Sequence, residues 1–414
     1  MKYNYDDIKN PEKIALMRRD LTKLARGIRV STIPEDASLT TPQSARDDQV
    51  LLGDKMVKRR RIVLLTPMCS AATCLMCPLP NEALDSKRRP IMPEEISAQF
   101  DSVMKDADDA DFDLLTLYTN GNFFADAEVP PVSREHMYKL FKESKAKFLL
   151  VESLPQFLTR EKMEEAKNII GEKKLIVAIG LQSASDMTRA ISVNTTTTRE
   201  SFERAYALLK EFDFIIQAFL MIKPPFLTDD EAIEDAVKSI QYLHELGIQN
   251  PILCATRVAP NTVLALLSKE GKFRTPWLWT IIEVLKRSAT QSPNAFPRVV
   301  ISELRKESNA DSEVPKNCDI CSTRTVDAIE RFNEDRNLEH LVSLDHECKE
   351  KYLKEKEKEN KTVGQIPLED RVSEFLEKHR LPESTIRRLV FGVYLDAIGK
   401  YRPFLFCRRN RYIS

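Results

Sequence analysis

Three cysteines within nine residues, Cys69, Cys74 and Cys77 in LTPMCSAATCLMCPLP, follow directly on the apolar run IVLL at 62–65. Where an α/β chain leaves a buried strand it opens the kind of loop that carries function. Three thiolates so close together suit a soft metal centre, and a three-ligand site leaves one metal position for something else. An iron–sulfur cluster with one iron free of protein ligands explains the missing fourth cysteine. A zinc ion would need a fourth ligand nearby, whereas the first histidine of the chain is His136. Buried structural thiols are the remaining reading.

A second constellation lies near 320. Cys318 and Cys321, spaced by two residues, and His346 and Cys348, spaced by one, supply four soft or borderline ligands, a plausible tetrahedral zinc set. The helical pattern VDAIERFNEDRNLEHLV between them can return the second pair to the first. A second iron–sulfur cluster and unconnected surface cysteines are the alternatives. A closed four-ligand set implies a structural metal, since no position is left for substrate.

The elements that must position these residues follow from composition and periodicity. The 414 residues exceed one typical domain, and 42% hydrophobic content is ordinary for a globular chain. With 63 basic and 63 acidic residues the net charge is zero, so any polyanion site must be local. No apolar stretch is long enough for a membrane span, and MKYNYDDIKN has no signal-peptide pattern, so the expectation is a cytoplasmic protein with no membrane partner. Eight cysteines then argue for metal chemistry rather than disulfides. No Walker or GxGxxG loop is present.

Residues 1–50 read as a helix (NPEKIALMRRDLTKLARGIRV) and a polar segment around Pro34 and Pro42. From there strand candidates at 61–66, 113–119, 147–153, 174–183, 214–222, 251–256 and 297–302 alternate with amphipathic helices. Serial strand–helix units mean an α/β fold, a parallel sheet with helices packed outside it. The residues just past each strand are then the candidates for chemistry. They include Asn120, Gly121 and Asn122, Glu152, Gln182 and Ser183, and Gln217 and Lys223 bracketing an apolar strand. A carboxylate such as Glu152 at the end of a buried strand is costly unless paired or functional. Lys223, set before two prolines on a rigid extended segment, is well placed to meet a carboxylate. Cys254 reads as a small buried hydrophobe.

With its cysteine loop after the first strand, the chain resembles the radical SAM superfamily, although the gap between the first two cysteines is one residue longer than usual there. The resemblance implies a partial (β/α)6 barrel and a [4Fe-4S] cluster on Cys69, Cys74 and Cys77, whose free iron chelates S-adenosylmethionine (SAM). It further implies a 5′-deoxyadenosyl radical that abstracts hydrogen from substrate, and an electron donor such as ferredoxin or flavodoxin. Asn120, Gly121 and Asn122 stand where that superfamily carries a glycine-bearing motif whose backbone carbonyl receives the SAM amine. Gln182 and Ser183, in VAIGLQSA, resemble a strand-four motif that hydrogen-bonds SAM or substrate, with Gln217 beside it. Glu152 would bind the SAM amine or a substrate cation, and Lys223 a carboxylate.

The segments LYTNGNF, VESLPQFLT, VAIGLQSA, AFLMIKPPFLTDDEAIEDAVKSI, TPWLWTIIEVLKR and NCDICSTRTVDAIERFN together resemble the radical SAM subunit of archaeosine synthase, over roughly residues 60–352. That resemblance implies a lyase-type tRNA modification, cleaving a carbon–nitrogen bond in a lysine adduct of 7-cyano-7-deazaguanine. A radical SAM enzyme acting on a small metabolite, and a non-catalytic zinc-bearing binding module, are the alternatives. The expected organisation is an N-terminal helical segment over 1–57, a radical SAM core over 58–305, a metal-binding segment over 306–352, and a charged linker with a helical appendage over 353–414. Basic residues at 58–61, and Arg408, Arg409 and Arg411 beside Phe404, Phe406 and Tyr412, are the expected phosphate contacts for tRNA.

Overall fold

The computed structural model describes residues 5, 7–85, 89–105, 111–306 and 311–379. The basic C-terminal tail, with Arg408, Arg409 and Arg411, lies outside the described residues. One eight-stranded sheet, in sequential order, organises the chain: β1 (Ser44–Leu52), β2 (Lys55–Val63), β3 (Leu114–Tyr118), β4 (Phe148–Glu152), β5 (Lys174–Gln182), β6 (Ile215–Ile222), β7 (Ile252–Ala255) and β8 (Arg298–Val299). Strands β2 to β8 pair in parallel, while β1 pairs antiparallel with β2. This is the curled half-barrel that the resemblance implies.

The helices are α1 (Pro11–Gly27), α2 (Pro93–Met104), α3 (Pro131–Glu143), α4 (Arg160–Ile170), α5 (Arg199–Glu211), α6 (Asp229–Glu245), α7 (Val263–Lys269), α8 (Leu278–Gln291), α9 (Ser322–Asp335), α10 (Glu339–Val342), α11 (Cys348–Lys361) and α12 (Leu368–Lys378). Local sequence sets many of their starts. Proline opens α1, α2 and α3, where its missing N–H costs nothing. Thr159, Thr198, Thr228 and Thr262 cap α4, α5, α6 and α7 through their hydroxyls, satisfying N–H groups that the helix leaves free.

Alternation along each strand divides the sheet into two faces. Leu115, Leu117, Leu149, Val151, Leu175, Val177, Ile179, Ala218, Leu220, Ile222 and Leu253 are buried in the main core with the helices. Leu114, Leu150, Ile176 and Ala178 form a separate cluster on the concave face, and Val50, Leu52 and Val57 of the β1–β2 hairpin pack against it. The hairpin therefore plugs the end of the barrel where the parallel strands begin. Its turn reaches the opposite sheet edge, where Arg298 donates to the Gly53 carbonyl and Arg336 pairs with Asp54.

The strand β1 stands where the sequence suggests only a polar segment. Its residues SARDDQVLL are mostly exposed and lack a clean apolar alternation, so the signal was absent. The same pairing occupies two of the four cations expected as phosphate contacts at 58–61. Arg59 donates to both oxygens of Asp48 at 2.7 Å, and Arg60 to both oxygens of Asp47 at 2.9 Å. Lys58 pairs with Asp111. Arg60 is buried, also donates to the Val103 carbonyl at 3.1 Å, and lies 4.9 Å over the Phe112 ring. These three cations each have an acidic neighbour, and Lys58 stays more than half exposed.

Replacing Arg60 with Ala removes charge-assisted hydrogen bonds from a buried site and should cost about 1–3 kcal/mol, read as a lower urea midpoint. The salt dependence of any nucleic-acid binding should stay as in the parent protein.

Candidate active site

The cysteine loop leaves the end of β2 and is fastened from several directions. The Cys69 N–H donates to the Asn120 carbonyl at 3.2 Å, tying it to the loop after β3. The Leu75 N–H donates to the Val193 carbonyl, and Leu75 in turn accepts from the Leu264 N–H. Asn194, in a left-handed conformation, donates from Nδ2 to the Thr73 carbonyl at 2.9 Å. Helix α1 covers the loop, with Arg26 donating to the Ala71 carbonyl at 2.8 Å. Leu75 and Met76 are buried in a core shared with α1, α7 and α12.

Glu128 is the residue that sequence reasoning missed here. It is 1% exposed, and its carboxylate accepts from the Ser70 N–H at 2.7 Å and from the Asn122 N–H at 2.5 Å. The Asn122 side-chain amide donates to the same carboxylate at 3.0 and 3.1 Å and approaches Cys69 Sγ at 3.4 Å. Asn122 Oδ1 accepts from the Leu154 N–H at 2.8 Å, extending the tie to the end of β4. Gly121 makes this possible. A Cβ there would collide with the Glu128 carboxylate and lie 2.8 Å from Cys69 Cα. Nothing in FADAEVPP marks Glu128 in the sequence, because its partners are distant in the chain.

The three loop cysteines sit close enough to repel one another as thiolates. Burial, then the neighbouring cysteines, push the Cys74 thiol up to about 12 and the Cys77 thiol up to about 11. Arg29 lies within electrostatic reach of all three, with a buried Nη1 that has no hydrogen-bond partner among the described residues. A polycationic group is what such a thiol set requires to ionise. Among the described residues, the group of cysteine, histidine or acidic side chains compact enough for a single ion is elsewhere, at Cys318, Cys321, His346 and Cys348. The loop cysteines therefore fit a cluster, which spreads its thiolate ligands, better than a lone ion.

Past the loop, the concave face carries a polar lining. Glu152 ends β4, and burial pushes its carboxyl up to about 7, with Arg61 opposing and Glu303 reinforcing the shift. Glu303, in the turn after β8, is likewise pushed up to about 7 by burial against the pull of Arg257. Tyr118, at the end of β3, rises to about 12 through burial and Glu152, while the Arg61 guanidinium lies 5.2 Å from its ring centroid. Cys254, expected as a plain small hydrophobe, is pushed up by burial and hydrogen-bonds Glu303. Gln217 lies on the same face by strand alternation. Glu303 follows the last strand, so the rule that picked out Glu152 would also have found it.

Of the remaining expected site residues, Asn120, Ser183 and Lys223 have side-chain partners within the protein. The Asn120 side chain accepts from the Thr66 N–H at 3.2 Å and donates to Gln43 Oε1 at 3.2 Å. Ser183 is fully buried and donates to Asp235 Oδ1 at 2.6 Å, whose carboxyl burial raises to about 6. Gln182 has φ +70° beside a bulge in β5 and folds its amide over Gly180, where a Cβ would block it. Lys223 is 1% exposed, with its ammonium 3.1 Å from Asp229 Oδ2 and 3.5 Å from Glu359 Oε1. Against the cost of burial, Lys223 and Arg274 hold Asp229 below the usual carboxylate range. The charge of Lys223 thus closes an internal network between β6, α6 and α11.

No protein-family model matches the chain. It is similar to archaeosine synthase subunit beta of Methanosarcina acetivorans, 31% identical over 300 residues that cover 71% of this chain and 83% of the relative. It is also similar to archaeosine synthase subunit beta of Thermococcus kodakarensis, 26% identical over 242 residues, 57% of this chain and 72% of the relative. Among solved structures, methylornithine synthase overlaps 75% of this chain and 79% of its own at 14% identity, with a TM-score of 0.42.

Gly121→Ala should displace either Glu128 or the cysteine loop, costing about 1–3 kcal/mol in the way of an overpacked core site. Glu128→Gln turns an amide N–H toward backbone N–H groups and should destabilise by a similar amount, about 1–3 kcal/mol. Urea denaturation reads the stability loss, and iron content after anaerobic reconstitution should fall in both variants.

Proposed function

Because this chain belongs to the archaeosine synthase subunit beta family and is a radical SAM enzyme, we propose that it modifies a nucleoside in tRNA by hydrogen abstraction. The bond broken would be a carbon–nitrogen bond in a lysine-adducted deazaguanine. The observation that carries the reading to this chain's own residues is the lining of the half-barrel. On the concave face the buried acids Glu152 and Glu303 lie within electrostatic reach of Arg61 and Arg257, and Gln217 shares that face by strand alternation. Such a lining suits a polar substrate with both cationic and anionic groups. The relatives set aside a non-catalytic zinc-bearing module.

Family membership implies SAM and a [4Fe-4S] cluster. When bound, they supply a 5′-deoxyadenosyl radical that takes hydrogen from substrate. Cys69, Cys74 and Cys77 would hold the cluster, and a ferredoxin- or flavodoxin-type donor would be its electron partner. Glu128 and Asn122 hold the loop in register, while α1 and the buried Leu75 and Met76 keep water from its back. Glu152 and Glu303 would receive a substrate cation, releasing the proton that burial lets them retain near neutral pH. Arg61 and Arg257 would take an anionic group, and Gln217 would orient substrate by hydrogen bonding. A small-molecule substrate is the second reading, favoured by the ion-paired cations at 58–60.

Anaerobically reconstituted protein should hold about four irons at the loop cysteines and, once reduced, convert SAM to 5′-deoxyadenosine. Cys69→Ala, Cys74→Ala or Cys77→Ala should abolish that turnover, and full SAM cleavage by the triple variant would sink the assignment. Glu152→Gln and Glu303→Gln should leave SAM cleavage without substrate intact. Their substrate-stimulated turnover should fall about 100-fold, the scale of losing one partner of a buried charge pair. Stimulation by tRNA carrying the lysine adduct supports the nucleoside reading; stimulation only by a free lysyl or nucleoside metabolite replaces it.

The two acids also set a pH dependence. Each has a folded value of about 7, above the 4.5 of a free glutamate. The folded state therefore binds protons more tightly than the unfolded chain, and stability falls as pH rises through that interval. The urea midpoint should be higher at about pH 5 than at about pH 8, on either side of the folded values. The double variant Glu152→Gln/Glu303→Gln should flatten the profile.

A further inference from the structure

Four side chains converge at the C-terminal side of the barrel with the spacing of a single tetrahedral ion. Cys318 Sγ lies 3.5 Å from Cys321 Sγ, which lies 3.5 Å from Cys348 Sγ. His346 Nδ1 is 3.7 Å from Cys318 Sγ, and the four ligand atoms all lie within 4.8 Å of one another. Zinc–sulfur bonds of about 2.3 Å at tetrahedral angles place sulfurs about 3.8 Å apart, so an ion fits between these atoms with little adjustment. Four ligand atoms around one point are too compact for a cluster that distributes its cysteines over several irons. Three sulfurs and an imidazole nitrogen select zinc over the hard cations.

The surroundings are those of a thiolate centre. Cys321 directly precedes α9 and Cys348 opens α11, both fourteen residues long, so two helix N-termini direct their partial positive charge at the sulfurs. The Trp279 indole N–H donates to Cys348 Sγ at 3.4 Å, the kind of outer hydrogen bond that orients a metal ligand. The Cys348 N–H donates to His346 Nδ1 at 3.3 Å, which makes Nδ1 the acceptor nitrogen of the ring; a bound ion would take that lone pair in place of the N–H. The set is closed, with no position for substrate.

From this centre α11 runs straight to the ion-pair network at the strand ends. Tyr352 donates to Glu283 at 2.9 Å, Lys356 reaches Asp230 and Glu283 at 3.0 Å, and Glu359 accepts from the Asp229 N–H at 2.9 Å while pairing with Lys223. Helix α12 follows, where Arg371 is bonded to Glu231 and the Phe226 carbonyl and Phe375 packs on Phe226. Those contacts belong to the same core as Leu75 and Met76 of the cysteine loop.

We infer that Cys318, Cys321, His346 and Cys348 bind one structural zinc ion that fixes the register of α11, and through α11 and α12 braces the cysteine loop from behind. The inference does not depend on the substrate or on SAM chemistry. The full-length Cys69→Ala/Cys74→Ala/Cys77→Ala protein, which cannot hold the loop cluster, should still contain about one zinc per chain with no acid-labile sulfide. Cobalt(II) exchanged into that protein should give the intense visible absorption of a tetrahedral thiolate site. Adding His346→Ala should reduce the metal to roughly a tenth or less, while His346→Cys should restore it, because a four-cysteine set also suits zinc. Removing zinc by chelation should speed hydrogen exchange over 348–379 while leaving β3 to β6 protected. Absence of zinc, iron with sulfide in its place, or full zinc in His346→Ala would each overturn the inference.

Discussion

A single buried carboxylate, that of Glu128, determines how the functional loop sits. An acidic group at 1% exposure is stable only if its oxygens are occupied by donors, and here the donors are Ser70, between the loop cysteines, and Asn122, past the next strand. The bonds can form only if the chain between them carries no Cβ, hence Gly121. The loop is in this way locked to β3 and, through Asn122 and Leu154, to β4. A loop that must hold three thiolates in one arrangement gains that rigidity from strands instead of from itself.

The second support comes from the chain's ends. Helix α1, the turn of chain around Ile191 and Val193, helix α7 and helix α12 bury a common apolar core that includes Leu75 and Met76. Segments more than three hundred residues apart in sequence thus meet behind the cysteine loop. The charged run KEKYLKEKEKENK, which reads as a solvated helix, contributes to this through one face. Tyr352 is buried, and Lys356 and Glu359 are engaged in ion pairs. Glu350, Lys351, Lys354, Glu357, Lys358 and Lys361 are exposed.

Charge is partitioned between these supports and the lumen. Lys223 with Asp229, Arg371 with Glu231 and Arg60 with Asp47 are ion-paired, the first within a network that includes Arg274 and Glu359. Glu152 and Glu303 are each raised by burial and have no ion-pair partner among the described residues. Unresolved electrostatic cost of this kind is common where a ligand completes the charge balance. The β1–β2 hairpin covers the rest of the concave face, with Val50, Leu52 and Val57 packed on Leu114, Leu150, Ile176 and Ala178.

The sequence by itself determined the parallel strand–helix order and the two soft-ligand constellations. It did so because both are local: apolar runs of strand length are visible as runs, and cysteine spacing is visible as spacing. It likewise singled out Glu152 as a carboxylate too buried to be idle. Only the tertiary structure decided the partners. Glu128 and the strand β1 carry no local signature, and Lys223, Ser183 and Asn122 read as free polar residues until Asp229, Asp235 and Glu128 are brought against them. Whether a polar side chain is available for chemistry or already bonded depends on groups far away in sequence, and that distance is closed only by folding.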